Sequence, residues 1–426
     1  MASLSTQNYK GARDFYPEDM RLQRHIFDTW ALIAQRYGYE EYDGPILEFT
    51  DLYRAKTGQE IVEEQTYSFK DRGGRDVTIR PEITPTLARM VAARSQELAT
   101  PIRWYSTPNL WRYERPQSGR LREHWQFNVD ILGVEDISAE LEVITLLHDL
   151  MHEFGADDDM FQIRLNSREL MSYIFGEYLS MGVDVSHRLT KLLDRKGKMS
   201  DEAFINQADA ILGDKLNTFL DLIRTTKLRD LPNDLLESEP AQDLARLGKL
   251  LTARDINNIR FDLTIQRGFD YYTGIVFEVF DTNPDNSRSI AGGGRYDDLM
   301  SIFKAPRIPA VGFGMGDVIM ADFLKVHNLE PKLTSSTKVV VISLDSDQIE
   351  AADELATKLR QSGINTATDL TDKKVGNKVK AADKKAIAYV IVVGDKEAIS
   401  KDYALKHLAS GDEERGDIDF IIEKLS

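Results

Sequence analysis

The sequence contains no cysteine among its 426 residues. It therefore forms no disulfide, and it offers no thiol for covalent catalysis or for a cysteine-based zinc site. It also lacks any run of about eighteen consecutive apolar residues, the length that a membrane-spanning helix requires. The first ten residues include no apolar core of a secretory signal. These absences predict a cytoplasmic protein.

Positive charge is scarce as well, because 54 Lys and Arg residues stand against 70 Asp and Glu residues, for a net charge of −16. Taken alone, this balance argues against a nucleic-acid partner. A large RNA-binding enzyme needs only a local basic surface, however, since the field at the contact decides binding. Basic residues gather in two places, with four arginines in residues 112–122 and six lysines in residues 373–385. The lysine run is equally consistent with an ordinary solvated surface.

The order of predicted helices and strands indicates two domains. The first covers residues 1–330 and contains short strands, interrupted by a helical, charged insertion at about residues 165–255. The second covers residues 338–426, where strands and helices follow one another as βαβαβ, a pattern typical of a parallel or mixed sheet flanked by helices. In the first domain, we predict helices at 18–37 and 138–154 and strands at 66–70, 76–80, 102–106, 109–114, 125–132, 260–266, 274–280 and 290–292.

The strands predicted at 109–114 and 125–132 form a long hairpin with polar side chains on one side. Side chains of a strand alternate between its two faces, so Gln126, Asn128 and Asp130 lie together, opposite the apolar residues of that strand. Arg112 and Glu114 share a face of the other strand. A face that carries these polar groups suits the floor of a ligand site. An ordinary solvent-exposed face is the alternative interpretation of the same pattern.

Four further segments bring functional groups or glycines close to predicted strands. Residues 80–84 carry a carboxylate and a hydroxyl two positions apart, and residues 266–274 combine a cation, two phenols and two glycines. Residues 291–297 include three consecutive glycines, which either permit close backbone approach to a ligand or serve simply as a turn. Residues 309–316 form a glycine-rich strand before a helix. They do not match the six-residue glycine fingerprint of dinucleotide-binding proteins, so we reject that interpretation.

Together, these segments resemble the signature motifs of class II aminoacyl-tRNA synthetases, and specifically those of the histidyl-tRNA synthetase family. The combination of Arg-Gly-Phe-Asp-Tyr-Tyr-Thr-Gly with Gly-Gly-Gly-Arg-Tyr-Asp is the most specific part. The resemblance implies an α+β catalytic domain with a mainly antiparallel sheet flanked by helices, a helical insertion, and a C-terminal α/β domain that binds the anticodon. The matching segments are residues 11–17 (N-terminal segment), 44–48 (class motif 1, at the dimer interface), 112–133 (motif 2), 267–274 and 291–297 (histidine-specific motifs), and 379–394 and 406–411 (anticodon-binding domain).

The resemblance implies a homodimeric enzyme that activates histidine with ATP as histidyl-adenylate and transfers it to the 3′ end of tRNA(His). The histidine carboxylate is the nucleophile and is already ionised at neutral pH, so no protein base is needed. Phosphoryl transfer depends on positioning and charge stabilisation, which arginine forks supply because they bind phosphate oxygens and stay protonated. Arg112 and Arg267 are implied as the catalytic residues, one on either side of the α-phosphate. Mg²⁺ is expected to bridge the phosphates mostly through water and ATP oxygens, and no side chain is assigned to a metal.

The remaining site residues follow from the same resemblance. Asp130 is expected to accept a hydrogen bond from one imidazole N–H of histidine, and Tyr272 to meet the other ring nitrogen. The full histidine-binding set is Glu82, Thr84, Gln126, Asp130, Tyr271, Tyr272 and Tyr296. The ATP-binding set is Arg112, Glu114, Arg120, His124 and Arg267. The tRNA-binding set is Gln117, Arg122, Lys373, Lys380 and Lys384.

Two positions depart from the family pattern, and both lie on the ATP side. Members commonly carry an arginine that helps to hold ATP at the position of Ile319 in this chain. They usually place a phenylalanine against adenine at the position of His124. The departures therefore concern the nucleotide contacts rather than the histidine contacts.

Two alternatives to the main interpretation remain. The non-catalytic regulatory subunit of ATP phosphoribosyltransferase resembles the same core, but it needs neither Arg112 and Arg267 nor a domain at 338–426. Another class II synthetase, such as the threonyl, prolyl or glycyl enzyme, shares motif 2 and the type of C-terminal domain. The tyrosines in residues 271–272 and 296 favour the histidine enzyme over these relatives.

Overall fold

The computed structural model describes residues 4–54, 65–117, 119–265, 271–286 and 288–426. The chain divides into two compact units. The first unit runs to Asp14 and continues from Gln23 to Glu330, and the second consists of Phe15–Leu22 and Pro331–Ser426. Within the described ranges, no helix has both the length and the apolar character that crossing a bilayer demands.

The first unit is built around a nine-stranded sheet of described strands, which is mainly antiparallel, as predicted. The strands of this sheet are β1 (Glu40–Glu41), β5 (Ile102–Ser106), β6 (Asn109–Trp111), β7 (Glu123–Leu132), β8 (Phe161–Ser167), β9 (Ile259–Phe261), β10 (Ile275–Asp281), β11 (Ser289–Arg295) and β12 (Ala310–Gly316). Their order is β1-β5-β7-β12-β11-β10-β8-β9, and β6 pairs with β7 as the predicted hairpin. Among these strands, only the pairs β1–β5 and β8–β9 are parallel.

Helices cover this sheet. The first helix, predicted at 18–37 from its apolar spacing, buries Ile26, Trp30 and Ile33. Trp30 stacks on Phe127 of β7 with the two ring centres 5.4 Å apart, which fixes the apolar face of that strand in the core. Among the described residues before 330, the α-helices are α1 (Pro17–Arg36), α2 (Thr50–Arg54), α3 (Thr84–Ala93), α4 (Ser138–Glu153), α5 (Arg168–Tyr173), α6 (Val183–Asp194), α7 (Asp201–Leu212), α8 (Leu216–Arg224), α9 (Asn233–Leu236), α10 (Glu239–Thr252) and α11 (Asp317–Val326).

The helical insertion begins later than predicted. Residues 161–167 form strand β8, which pairs with β10 and β9, so the helices begin only at Arg168. Phe161, Ile163 and Leu165 are buried and alternate with partly buried residues, which is the period-two pattern of a strand. The expected start at about residue 165 thus falls near the end of β8, three residues before the first helix.

Strand β6 is shorter than predicted, because it ends at Trp111 rather than near residue 114. The Arg112 N–H donates to the Arg122 carbonyl at 2.8 Å, and the Glu114 N–H donates to the Arg112 carbonyl at 2.8 Å. The Arg122 N–H donates to the Gly11 carbonyl at 2.9 Å instead of back to Arg112, so the regular pairing stops here. Arg112 and Glu114 consequently extend from a loop at the end of the hairpin rather than from a strand face.

A separate small antiparallel sheet contains β2 (Leu47–Phe49), β3 (Tyr67–Lys70) and β4 (Asp76–Ile79) in the order β2-β4-β3. Phe49 and Phe69 pair with Val77 from its two sides, so the three side chains form a row on one face. The side chains of Leu47, Phe49 and Phe69 are 42%, 58% and 49% exposed. This face is unusually apolar for a protein surface.

The second unit contains the predicted succession of strands and helices, followed by two antiparallel strands. Strand β13 (Val339–Ser343) pairs in parallel with β14 (Thr366–Thr368) and β15 (Tyr389–Val393). Strands β16 (Tyr403–His407) and β17 (Glu413–Gly416) extend the sheet antiparallel beyond β15. The helices are α12 (Ile349–Gln361), α13 (Val375–Lys384), α14 (Asp395–Ser400) and α15 (Ile418–Leu425).

Only part of the lysine run at residues 373–385 lies on a helix. Lys373 precedes α13, which begins at Val375, so it does not share a helical face with Lys380 and Lys384. Those three lysines are exposed. Lys378 is only 6% exposed, and its stem packs against the sheet side of the helix. The exposed basic surface is therefore made of the segment before α13 together with its outer face.

Candidate active site

One strand, β7, forms the floor of the site. Because side chains alternate along a strand, His124, Gln126, Asn128 and Asp130 all lie on the same side of the sheet. The intervening residues face the core, where Phe127 is completely buried. At about 3.4 Å per residue, the six steps from His124 to Asp130 span roughly 20 Å. Asn128 and Asp130 are 4% and 3% exposed, so the inner end of this face is not ordinary protein surface.

The glycines of β12 make room for the polar side chains of β7. Gly312 pairs with Asp130, and a Cβ at Gly312 would overlap the Oδ1 atom of that carboxylate. A Cβ at Gly314 would lie 2.8 Å from the side-chain amide of Gln126. The glycine-rich strand thus keeps one wall of the site flat, because any larger residue would displace one of these two side chains.

These elements surround a pocket of about 360 Å³, a volume that includes space open to solvent. The structure brings together in this pocket all seven residues of the predicted histidine-binding set: Glu82, Thr84, Gln126, Asp130, Tyr271, Tyr272 and Tyr296. The further lining residues, which were not in that set, are Asn128, Gly292, Gly312, Phe313 and Gly314. Asn128 could have been included, since it shares the polar face of the predicted strand.

Asp130 has one carboxylate oxygen bonded and the other available. Its Oδ1 accepts a hydrogen bond of 2.5 Å from the Tyr296 hydroxyl. Its Oδ2 is buried and has no hydrogen-bond partner among the described residues. Burial raises the pKa of Asp130 from 3.8 to about 7, and the bond from Tyr296 offsets part of this rise. A buried acceptor without a partner is unfavourable, so this oxygen favours a ligand that donates an N–H.

Acceptors and aromatic rings form the opposite wall of the pocket. Glu82 is 2% exposed, and its Oε2 accepts from the Tyr271 hydroxyl at 3.2 Å. Thr84 begins helix α3 two residues later. The Tyr271 ring lies 4.8 Å from that of Tyr272 and 5.7 Å from that of Tyr296, measured between ring centres. A carboxylate, a hydroxyl and three phenols suit a cationic or N–H-rich small molecule.

The outer end of β7 is strongly basic. Burial, together with the charges of Arg112, Arg13 and Arg120, lowers the pKa of His124 to about 3. His124 is therefore neutral at pH 7 and leaves the positive charge of this region to the arginines. Arginine clusters of this kind bind phosphate groups.

Glu114 is the carboxylate within this basic region. One of its oxygens pairs with Arg120, and the other, Oε1, is buried without a partner among the described residues.

Arg112 donates from Nε to the Pro81 carbonyl at 2.8 Å, which ties the loop to the segment that carries Glu82. The Gln117–Arg120 turn is closed by two backbone bonds of 3.0 and 2.9 Å and leaves Gln117 exposed at its tip.

Arg122 is held by neighbouring aromatic residues. Its guanidinium lies 4.0 Å from the centre of the Tyr113 ring and donates to the Tyr9 hydroxyl at 3.0 Å. Its Nε also donates to the Glu114 carbonyl at 3.1 Å. Arg122 therefore positions the loop. Arg267, the second predicted catalytic arginine, lies outside the described residues, and no contact can be assigned to it.

Comparisons with known proteins identify the family of this chain. A family model described as Histidyl-tRNA synthetase matches residues 11–316, which is most of the chain. The chain belongs to the histidyl-tRNA synthetase family. A second model, described as Anticodon binding domain, matches residues 338–426. The family resemblance predicted from the sequence is therefore confirmed.

Relatives match this family member over nearly its full length. The histidine–tRNA ligase of Leptospira biflexa is 43% identical over 416 residues, which cover 96% of this chain and 94% of the relative. The histidine–tRNA ligase of Thermoplasma volcanium is 35% identical over 430 residues, covering 99% of each chain.

Solved structures confirm the fold of the family. A histidyl-tRNA synthetase from Nostoc sp. matches with a TM-score of 0.84 at 20% identity, over 99% of each chain. An ATP phosphoribosyltransferase regulatory subunit/histidyl-tRNA synthetase from Bacillus halodurans matches with a TM-score of 0.76 at 21% identity, over 92% of this chain and 99% of the other. Since the fold is common to both, fold alone does not separate the ligases from the regulatory subunits.

Two arginines outside the predicted site set lie near the basic end of β7. Arg13 forms an ion pair of 2.6 Å with Asp317, whose other oxygen accepts the Trp125 N–H at 2.9 Å. Arg288 lies in the connection between β10 and β11, against the motif 2 loop. Arg13 belongs to the N-terminal segment that the sequence had already indicated, whereas no local pattern marked Arg288.

Proposed function

We propose that this chain is a histidine–tRNA ligase, which forms histidyl-adenylate from histidine and ATP and transfers the histidine to the 3′ end of tRNA(His). The observation that carries the proposal is the layout of β7. A pocket with an unpartnered carboxylate oxygen at Asp130 lies at one end, and an arginine cluster around His124 lies at the other. One strand can therefore align an amino acid with a nucleotide. The names of the full-length relatives support the same activity.

The pocket suits histidine as the amino acid. Asp130 would accept a hydrogen bond from one imidazole N–H through Oδ2, while Tyr272 meets the second ring nitrogen. Glu82, Thr84 and Gln126 provide acceptors for the α-ammonium group. The Tyr296 hydroxyl holds the other oxygen of Asp130 and so fixes the orientation of its carboxylate. With the ring and the ammonium both bound, the substrate carboxylate is directed along β7 toward the arginines.

In the first step, the histidine carboxylate attacks the α-phosphorus of ATP and pyrophosphate leaves. The protein contributes position and charge stabilisation, since the nucleophile is already ionised. Arg112 and Arg267 would hold the α-phosphate oxygens, and Arg120 would contact the rest of the nucleotide. His124 presents a neutral, flat ring to adenine because its pKa is about 3.

Mg²⁺ fits the same end of the site. The buried Oε1 of Glu114 has no partner among the described residues, and hard divalent cations take carboxylate oxygens as ligands. Glu114 would therefore hold the ion, with the remaining ligands being water and phosphate oxygens. The bound ion would neutralise part of the phosphate charge.

In the second step, the terminal ribose of tRNA attacks the adenylate carbonyl and AMP leaves. Gln117 is exposed at the tip of the motif 2 loop, where an acceptor end would approach. Arg122 supports this loop through Tyr9 and Tyr113 and would contribute its charge at the same place. We assign catalysis to residues 1–330 and anticodon binding to residues 338–426. We also place the reaction in the cytoplasm, where tRNA is charged.

The proposal predicts that histidine alone supports ATP–pyrophosphate exchange. Each of the twenty amino acids is offered separately with ATP, Mg²⁺ and labelled pyrophosphate, and label in ATP is counted. Exchange with histidine should exceed that with any other amino acid by roughly 1,000-fold, because a site built to hydrogen-bond both ring nitrogens rejects molecules that lack them. Exchange with threonine, proline or glycine would favour another class II synthetase. No exchange with any amino acid would favour the regulatory-subunit alternative.

We further propose that two copies form a homodimer through the small sheet. Leu47, Phe49 and Phe69 form an exposed apolar face next to the segment that resembles class motif 1.

We expect light scattering at micromolar concentration to give the mass of a dimer. Phe49→Asp together with Phe69→Asp should give monomers, since burying two carboxylates costs several kcal/mol, on the order of the energy of an interface. Val183→Asp, at an 86% exposed apolar residue elsewhere, is the matched control and should remain dimeric.

The exposed lysines of the second unit are proposed to contact the tRNA near its anticodon. Replacing Lys373, Lys380 and Lys384 by Gln should weaken tRNA binding and lower the slope of log affinity against log salt by about 2, given roughly 0.7 for each single-strand phosphate contact. Filter binding over a salt series measures both quantities. The control replaces exposed lysines of the helical insertion: Lys191, Lys227 and Lys249. An unchanged slope in the first variant would make the lysine run ordinary solvated surface.

A further inference from the structure

Two side chains converge on one glycine of the motif 2 loop. Gly119 has a φ of +68°, and a Cβ there would clash with Cδ1 of Ile319 and approach Cδ of Arg288 to 3.0 Å. Ile319 comes from helix α11, whereas Arg288 comes from the connection that leads into β11. The stem of Arg288 therefore lies beside the position where family members commonly carry an arginine and this chain has isoleucine.

The guanidinium of Arg288 faces other charges of the ATP side. Burial lowers the pKa of Arg288, the nearby charge of Arg120 lowers it further, and Glu114 opposes both effects. Within the described part of the chain, Arg288 makes no hydrogen bond or ion pair. The neighbouring carboxylate, Glu114, is already paired with Arg120. A partly buried cation beside a second cation is unfavourable unless an anion completes the group.

We propose that Arg288 binds the β- and γ-phosphates of ATP and so replaces the arginine that Ile319 removes. The inference rests on the proposed function, because it assumes that ATP occupies the basic end of β7. Arg112 is bonded to Pro81, next to the pocket residue Glu82, and is left to the α-phosphate, whereas Arg288 lies beside Gly119 and Arg120 of the loop. The triphosphate supplies the anion that this group of side chains otherwise lacks, and the arginine fork matches its oxygens.

The test is Arg288→Ala in the full-length protein, measured by histidine-dependent pyrophosphate exchange. The KM for ATP should rise by roughly 30-fold or more, whereas the KM for histidine changes by less than about 2-fold. Adding Ile319→Arg to Arg288→Ala should recover most of the ATP affinity, because a cation returns to the same spot from the helix. Arg224→Ala, at an exposed arginine of the insertion, is the matched control and should behave as wild type.

Ligand-induced thermal shifts separate a phosphate contact from a structural role. Arg288→Ala should lose most of the stabilisation that ATP gives to the wild type but keep that given by AMP, which lacks the β- and γ-phosphates. An unchanged KM for ATP, or equal losses with ATP and AMP, would overturn the inference. Failure of the wild type to exchange at all would instead contradict the proposed function.

A second, independent observation concerns three side chains at the C-terminal end of α4. His148 and His152 lie one turn apart on this helix, and Asp158 follows in the connection to β8. The Oδ1 of Asp158 lies 2.9 Å from Nε2 of His148 and 3.0 Å from Nε2 of His152. The two Nε2 atoms are 3.2 Å apart. The three atoms thus form a nearly equilateral triangle.

Hydrogen bonds cannot satisfy all three sides of this triangle while the carboxylate is ionised. If both imidazoles donate to Asp158, then two N–H groups face each other; if one imidazole donates to the other, the acceptor nitrogen faces the carboxylate. A cation removes the conflict because all three lone pairs can point at it. Tetrahedral zinc with bonds of about 2.1 Å has ligand atoms about 3.4 Å apart, slightly more than is found here.

We infer that His148, His152 and Asp158 bind a divalent transition-metal ion of the zinc class. Imidazole and carboxylate ligands suit such an ion, and three protein ligands leave a fourth position for water. The side chains of His152 and Asp158 are 41% and 43% exposed, so water can reach that position. Binding would tie the connection before β8 to helix α4.

Calorimetric titration of the metal-free, full-length protein with Zn²⁺ tests this inference. We expect one site with a Kd below about 10 µM and a typical tetrahedral absorption spectrum when Co²⁺ replaces Zn²⁺. His148→Ala with His152→Ala should abolish both signals, whereas His187→Ala, at an exposed histidine of α6, should preserve them. Absence of binding by the wild type, or equal binding by the double variant, would overturn the inference and leave a hydrogen-bonded triad.

Discussion

Asp130→Asn should raise the KM for histidine in pyrophosphate exchange by roughly 100-fold or more, because a site built to accept an N–H is strongly impaired when its acceptor is replaced. Asparagine keeps the shape of the side chain, but its NH2 group is a hydrogen-bond donor. If this group faces the imidazole N–H, two donors meet and no hydrogen bond forms. The KM for ATP should change by less than about 3-fold, since the arginine cluster lies at the other end of β7. Equal changes in both KM values would instead place Asp130 in the general scaffold.

The same substitution should stabilise the protein without ligand at alkaline pH. The folded-state pKa of Asp130 is about 7 because of burial, against 3.8 in the unfolded chain, so the folded state binds the proton more tightly. Asp130 therefore makes its full contribution to the free energy of unfolding below pH 3.8. This contribution falls as the pH rises toward 7 and stays low above pH 7. A shift of three units corresponds to at most about 4 kcal/mol.

Thermal unfolding at pH 5 and pH 8 measures this effect. The unfolding temperature of Asp130→Asn minus that of the wild type should be more positive at pH 8 than at pH 5. Asp214→Asn, at an exposed residue of the insertion, is the control and should show no such trend. A difference that does not change with pH would mean that Asp130 is not a buried, destabilised acid. A gain in stability together with a loss of histidine binding is the expected signature of a functional carboxylate.

The histidine pocket could be predicted from the sequence because its parts follow short-range rules. The alternation in β7 placed Gln126 and Asp130 on one face, and strand pairing then set that face opposite the glycines of β12. The family motifs added Tyr271, Tyr272 and Tyr296, whose positions the structure brings into one pocket. The alternation pattern and the family resemblance together were sufficient to predict the pocket, because its residues lie either at fixed positions within a strand or close to the end of a strand.

The parts that could not be predicted depend on contacts between distant segments. Strand β6 ends at Trp111 because the Arg122 N–H donates to the Gly11 carbonyl at 2.9 Å rather than back to Arg112, and no local pattern marks that bond. Arg288 reaches the ATP side only because the β10–β11 connection folds back on Gly119. The triangle of His148, His152 and Asp158 likewise needs the chain after α4 to return to that helix, whereas the i, i+4 histidine spacing alone is common on ordinary helices.

Arg112→Ala and Arg267→Ala should each reduce histidine-dependent exchange by roughly 100-fold or more, on the scale of losing one preorganised charge contact to a transition state. The loss should appear mainly in kcat, because charge on the α-phosphate oxygens is redistributed during attack. Arg112→Lys should recover only part of the activity, since an ammonium lacks the two-pronged geometry of the guanidinium. Arg115→Ala, at an exposed arginine of the same loop, is the matched control.

The double variant Arg112→Ala/Arg267→Ala then tests whether the two arginines act on one group. If both hold the same α-phosphate, their effects should be strongly non-additive, and the double variant should be little slower than either single variant. Additive losses would mean that they stabilise different groups. Single variants with near wild-type kcat would contradict the catalytic assignment, and they would leave the arginine cluster around His124 as a binding surface that the adenylation step does not use.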